Sequence, residues 1–138
     1  MNTLRLKVIT PRKIVIDESV NSVTIPTVSG EITILPHHTH LFSLLVEGVI
    51  KIKKQNDEDY LAIGGGYLET DGKELNILVS RAYGQNEIDE EMISKATEEA
   101  KKILSQPASE KEKAEAISMM RRATIDSKLL KRRKSRPI

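Results

Sequence analysis

Three histidines fall within four positions, His37-His38-Thr39-His40, and imidazoles are metal ligands by type. In an extended segment, neighbouring side chains point to opposite faces, so only His38 and His40 would share a side. No cysteine or acidic residue lies close in sequence to complete a coordination shell, and these residues read as loop or interface histidines rather than a metal site. Gly64-Gly65-Gly66 has the composition of a phosphate loop. It lacks the Lys-Ser/Thr that follows in a P-loop and the strand–helix–strand context of a dinucleotide fold. A sharp corner or bulge where side chains do not fit is the better reading. No Ser/His/Asp or paired-carboxylate arrangement stands out, so no catalytic residue is assigned, no cofactor is expected and the chain reads as a non-enzyme.

The elements that must position these residues change character at Gly84, beyond which there is no glycine. Before it, hydrophobicity has the two-residue period of strands. Thr3–Val8, Lys13–Ile16, Ser22–Ile25, Gly30–Pro36, Leu41–Val46, Gly48–Lys53, Tyr60–Ile63, Tyr67–Glu69 and Leu75–Val79 read as short strands. Pro26 is expected to end the third, Asn56–Asp59 to form a hairpin turn, and the apolar run Leu41–Val46 to be buried on both faces or to turn a sheet corner. Eight to ten short strands at close spacing predict a β-sandwich over residues 1–84.

After Gly84 the period becomes helical. Asn86 or Asp89 can cap a helix carrying the stripe Ile88, Met92, Ala96, Ala100 and Ile103. Ser105-Gln106-Pro107 stops it. A second helix begins at Ala108 or Ser109, with Ala116, Met120 and Ala123 on one face and Ile117, Ile125 and Leu129 close by. A short loop between them favours an antiparallel two-helix hairpin over residues 87–138. Residues 87–133 hold only eleven large apolar side chains, so the hairpin is expected to depend on docking.

The net charge of +2 hides an asymmetry. Residues 1–86 carry 9 basic and 10 acidic side chains, residues 87–120 carry 5 and 9, and residues 121–138 carry 8 and 1. The final block, net +7, reads either as a solvated terminus or as an electrostatic docking element for an acidic surface. Lys131-Arg132-Arg133-Lys134 could touch phosphates, but with no aromatic residue after Tyr83 the tail lacks the stacking platforms of single-strand binders. The absence of cysteine excludes disulfides and thiolate metal sites and fits a reducing compartment. No run approaches the roughly 20 apolar residues that span a bilayer, and Met1–Arg5 lacks a signal peptide's apolar core. A soluble protein, or one peripheral to something larger, is expected.

The order of these features resembles the epsilon subunit of bacterial F-type ATP synthases. Gly30-Glu31-Ile32-Thr33-Ile34-Leu35-Pro36-His37-His38 is similar to the family's Gly-Glu-x-Gly-Ile-x-Pro-x-His segment. Thr39-His40-Leu41 stands where Ala-Pro-Leu usually follows. Val46–Ile52 resembles the next strand with Glu47 replacing proline, and Ala62–Glu69 resembles the Gly-Gly-(Phe/Ile)-Leu-Glu signature. Leu75–Ala82 looks like the last strand before the helices, and Ile88-Asp89-Glu90 like the start of the first helix.

The resemblance implies a noncatalytic central-stalk subunit that couples proton-driven ring rotation to ATP synthesis. It would be peripheral, on the cytoplasmic face of the bacterial cell membrane. Residues 1–84 would be the coupling sandwich and residues 87–138 a regulatory hairpin that inhibits ATP hydrolysis. The implied partners are the gamma subunit, the proteolipid c ring and the catalytic beta subunits, with no nucleic acid. Glu31, His38, His40, Leu41 and Phe42 would supply the interface. Arg121, Arg122, Lys128, Lys131, Arg132, Arg133 and Lys134 would make the inhibitory contacts. Some relatives bind ATP through Ile/Leu-Asp-x-x-Arg-Ala; here Ile88 and Asp89 match, but Met92 and Ile93 replace the Arg-Ala pair. Arg121 and Arg122 lie where second-helix arginines occur, yet cannot restore the missing charge-assisted contact, so ATP binding is expected to be weak or absent. Two rivals are a free-standing nucleotide-sensing regulatory module and a β-domain adaptor whose basic tail contacts nucleic acid.

Overall fold

The computed structural model describes residues 2–38 and 40–135, without the side chains of Asn86 and residues 133–135. It divides into two units, Met1–Gly84 and Gln85–Ile138.

The first unit is a ten-stranded β-sandwich. Its strands are β1 (Leu4–Ile9), β2 (Ile14–Val20), β3 (Ser22–Thr27), β4 (Gly30–Ile34), β5 (Leu41–Leu45), β6 (Gly48–Lys53), β7 (Glu58–Ile63), β8 (Gly66–Thr70), β9 (Glu74–Val79) and β10 (Ala82–Tyr83). The hydrogen-bonded order is β10-β7-β6-β3-β5-β8-β9-β1-β2, with β4 paired to β3. Every pair is antiparallel except β1 with β9. Alternation sorts the faces: Leu4, Leu6 and Val8 are buried while Arg5 between them is exposed. Val23, Ile25, Ile50, Ile52, Leu68, Leu75 and Ile77 complete the centre of a core built from aliphatic side chains.

The strands depart from the sequence expectation in four places. Strand β2 runs on through Asp17-Glu18-Ser19, because β1 offers a full antiparallel partner and tertiary pairing overrides weak β-propensity. Pro26 lies inside β3 instead of ending it. On that edge β3 leaves β6 at Thr24 and meets β5 at Thr27, so Pro26 sits where no N–H donor is required, and its carbonyl accepts from Val46 N at 3.3 Å. The β6–β7 turn is Lys54–Asp57, closed by Lys54 N to Asp57 O at 2.8 Å, which leaves Glu58 and Asp59 in β7. Strand β5 is not buried on both faces: Leu45 is buried, but Phe42 and Leu44 are 60% and 54% exposed.

The second unit opens with one 3-10 turn, Gln85–Glu87, followed by α1 (Glu90–Leu104) and α2 (Glu110–Ser135). Asp89 is the N-cap of α1, its carboxylate accepting from Glu91 N at 2.9 Å, with Glu90 and Glu91 at the positive helix end. A capping box starts α2: Ser109 Oγ accepts from Glu112 N at 3.1 Å and Ser109 N donates to Glu112 Oε1 at 3.3 Å. Gln85 Nε2 donates to Leu129 O at 2.9 Å, so the start of the unit lies against late turns of α2, as an antiparallel hairpin requires. At 1.5 Å per residue α1 is ~22 Å long and α2 ~39 Å.

Both helical stripes differ from expectation. In α1 the inward positions are Ile93, Ala96, Ala100 and Ile103; Ile88 precedes the helix and Met92 is 68% exposed. In α2 the buried residues occupy two faces. Ala116 and Ala123 share one, while Ile125, about 200° round the helix from Ala123, and Leu129 share the other. Ile117 is exposed.

Candidate functional site

The segment proposed to make contacts on the sandwich occupies two neighbourhoods. Glu31 is exposed at the start of β4, opposite Pro26 and beside the Val28-Ser29 turn. His37 and His38 instead cross the Asp71-Gly72 turn. His37 has φ 66, and its N–H donates to Gly72 O at 2.8 Å. Gly72 has φ 92, and a Cβ there would come within 2.5 Å of His38 O, so this crossing requires glycine. His38 and His40 are exposed, and His40 lines a shallow polar hollow with Glu69, Thr70, Asp71, Glu74 and Asn76. Among the described residues no three His, Cys, Asp or Glu side chains are grouped to hold a metal ion. Thr39 lies outside the described residues.

Leu41 is half-buried, and Phe42 begins an apolar strip. Phe42 and Leu44 point outward from alternate positions of β5, and the Phe42 ring lies 5.3 Å from Tyr67 on β8. Val28 N donates to Leu44 O at 3.0 Å, bringing Val28 (60% exposed) alongside; Val46 (40% exposed) follows. Val28, Leu44 and Val46 escaped the sequence reading, although the two-residue period applied to Phe42-Ser43-Leu44 would have marked one apolar face as outward.

Several charged groups elsewhere on the sandwich are paired. Lys54 Nζ lies 2.7 Å from Asp59 and 2.8 Å from Glu18, and these contacts raise its pKa well above the ordinary lysine value. The Arg5 side chain at 2.7 Å holds Asp17 below the usual carboxylate range. The Tyr60 hydroxyl, donating at 2.9 Å, and then Lys51 do the same for Glu58. Asp71 is lowered by the backbone N–H groups of Glu74 and Lys73, which donate to its Oδ1 at 2.8 and 2.9 Å. Arg81 Nη2 meets Glu47 at 2.7 Å, a pair 34 residues apart that no local motif announces.

On the hairpin, the nucleotide candidates Ile88 and Asp89 sit at the α1 cap, where the Asp89 carboxylate already serves Glu91 N. Arg121, Arg122, Lys128, Lys131 and Arg132 are exposed along α2. The side chains of Arg133 and Lys134 lie outside those described. No described helix is long and apolar enough to cross a membrane.

A β-sandwich followed by a helical hairpin, with an apolar strip on one and a basic helix end on the other, defines a two-part interaction subunit. Residues 3–85 match the family described as ATP synthase, Delta/Epsilon chain, beta-sandwich domain. The "ATP synthase epsilon chain" of Herpetosiphon aurantiacus is 31% identical over 133 residues, covering 96% of this chain and 98% of the relative. That of Halalkalibacterium halodurans is 36% identical over 110 residues, covering 80% and 83%. The chain belongs to the ATP synthase epsilon-chain family. A chain of the Euglena gracilis mitochondrial ATP synthase shares the fold with a TM-score of 0.70 at 23% identity, over 94% of this chain and 78% of that one. A Tetrahymena thermophila mitochondrial ATP synthase central stalk/c-ring structure matches with a TM-score of 0.61 at 16% identity, over 92% and 96%.

Proposed function

We propose that this chain is a noncatalytic subunit of the ATP synthase central stalk that couples proton-driven rotation to ATP synthesis. The observation that carries this reading is kinship with epsilon chains along 98% of a relative's length, so that both units, not the sandwich alone, have counterparts. Residues 1–84 are the coupling unit. Their contacts to the gamma subunit and the c ring fall on Glu31, His38, His40, Leu41 and Phe42, which reach the surface wholly or in part. Residues 87–138 are the regulatory hairpin. Its basic end, with Arg121, Arg122, Lys128, Lys131, Arg132, Arg133 and Lys134, suits acidic segments of the catalytic beta subunits and inhibits ATP hydrolysis. The assembly holds the chain at the cytoplasmic face of the cell membrane. ATP binding by the hairpin is weak or absent: Met92 offers no charge for a phosphate, and Asp89 is engaged as a cap.

The test is ATP hydrolysis by an epsilon-depleted catalytic head with its gamma subunit. Full-length protein and a version ending at Gln85 are each titrated in. Both are expected to bind and only the full-length chain to inhibit. Failure of both to bind would overturn the assignment, and binding without inhibition by the full-length chain would remove the regulatory role.

A further inference from the structure

We propose that the outward face of strands β5, β8, β9, β1 and β2 is an interface between two copies of this chain. The pairing needs only the unassembled chain, so it stands apart from the coupling role proposed above.

Strand register lines up one apolar or aromatic residue from each of the five strands. Leu44 pairs with Tyr67, Tyr67 with Leu78, Leu78 with Ile9, and Ile9 with Ile14. Leu45, Leu68, Ile77 and Val8 beside the first four are buried, so by alternation the row points away from the core. Its ends, Leu44 and Ile14, are 54% and 57% exposed, and the three residues between them are half-buried. At the usual spacing of strands the row is ~19 Å long. The corresponding outward row on β4, β3, β6 and β7 is polar: Thr33, Thr24, Lys51 and Tyr60. Single apolar residues on a surface need no partner, whereas a continuous apolar row with a polar rim marks an interaction surface.

The rim says what that partner is. Two residues along each strand, Phe42, Glu69, Asn76, Lys7 and Asp17 stand in register. Arg5 already holds Asp17, at 2.7 Å. Among the described residues neither Glu69 nor Lys7 makes an ion pair. These two opposite charges flank Asn76 symmetrically, one on each side of β9. A second copy turned by half a rotation about an axis along β9 lays its Lys7 over Glu69 and its Glu69 over Lys7. The same rotation lays its Ile9 over Tyr67 and its Ile14 over Leu44, while Leu78 meets Leu78. The strands of both copies then run the same way, as in aligned face-to-face sheets ~10 Å apart. An unrelated partner would not require opposite charges placed symmetrically about one strand. A contact of this two-fold kind closes at two copies, so it makes a dimer and not a fibre.

The test is sedimentation equilibrium on the full chain over a range of concentrations, with each variant's fold checked by circular dichroism. The wild type is expected to dimerise. K7E and E69K each oppose like charges at two symmetry-related places, and each is expected to weaken the dimer about tenfold. The double variant K7E/E69K restores opposite charges and is expected to return to within about threefold of the wild type. L44D, at an exposed position, is expected to abolish the dimer. A wild-type chain that stays monomeric overturns the interface. So does a dimer that L44D leaves intact, or a double variant no tighter than the single ones. A monomeric chain whose Leu44 and Ile14 methyl NMR signals shift on adding the gamma subunit overturns self-association and gives the face to that partner instead.

Discussion

Gly66 shows what a single backbone position costs this sandwich. It pairs with Val79 on β9 and Leu45 on β5, and a Cβ there would run into the Leu78 carbonyl and the Val79 Cα. Neither is the end of a flexible side chain, so the strands themselves must part. Gly66→Ala is expected to lose about 3 kcal/mol or more in urea unfolding, at the upper end of overpacking costs; a loss under about 1 kcal/mol would show that the ladder adjusts freely. Acid acts at the same scale. Asp17, Glu58 and Asp71 have folded pKa values below their ordinary ones, so the stability they contribute is complete at neutral pH. It is lost as pH falls through the lowered values, because there the unfolded chain binds more protons. The urea midpoint should therefore drop below about pH 4. D71N, whose amide oxygen can still accept from Lys73 and Glu74, should shallow that drop; an unaltered slope would remove Asp71 from the explanation. The Asp71-Gly72 dipeptide is a local turn signal, but nothing local marks its second task, receiving the His37-His38 crossing. That depends on an approach between residues more than thirty apart.

Among the elements, the helices were the more legible in their ends and the less legible in their faces. The Asp89 cap and the Ser109 start are local chemistry, and both stand where the sequence allowed them. Ser109→Ala breaks the capping box and should lower hairpin stability by about 1 kcal/mol, read as an earlier loss of helical circular dichroism with the sandwich transition unmoved. A coincident shift of both transitions would mean the cap acts on more than the hairpin. The faces were misjudged because a stripe of apolar residues fixes a helix's orientation only when one partner covers it. Met92 and Ile93 are adjacent and both apolar, and packing chose Ile93. In α2 the group expected close beside Ala116 and Ala123 instead divides, with Ile125 and Leu129 buried on another face and Ile117 exposed. Strand β5 erred for a related reason. An apolar run says that a strand is sticky, not which side is covered, and Phe42 and Leu44 stayed outside.

At the scale of the whole molecule, the division at Gly84 has a functional consequence that the hydrolysis titration measures. The sixteen residues of the main core cluster all precede Gly84, so a version ending at Gln85 keeps its core and is expected to bind the gamma subunit as the full chain does. Two-residue alternation, glycine at the turns, and the change to helical period beyond Gly84 are properties of neighbouring residues. They determined the class of fold and the change of structure at Gly84 without reference to any distant contact, while the resemblance to epsilon chains was carried by short motifs such as Gly30–His38 and Ala62–Glu69. Tertiary structure alone decided the partners of each edge. It paired β1 parallel with β9, some seventy residues on, placed Pro26 at a gap between two neighbouring strands, and brought Arg81 across Gly64 to Glu47. Side-chain period constrains which way a residue faces, whereas the choice of which strand lies beside it comes from closing the whole core at once, and that choice placed the apolar strip and the Glu47–Arg81 pair.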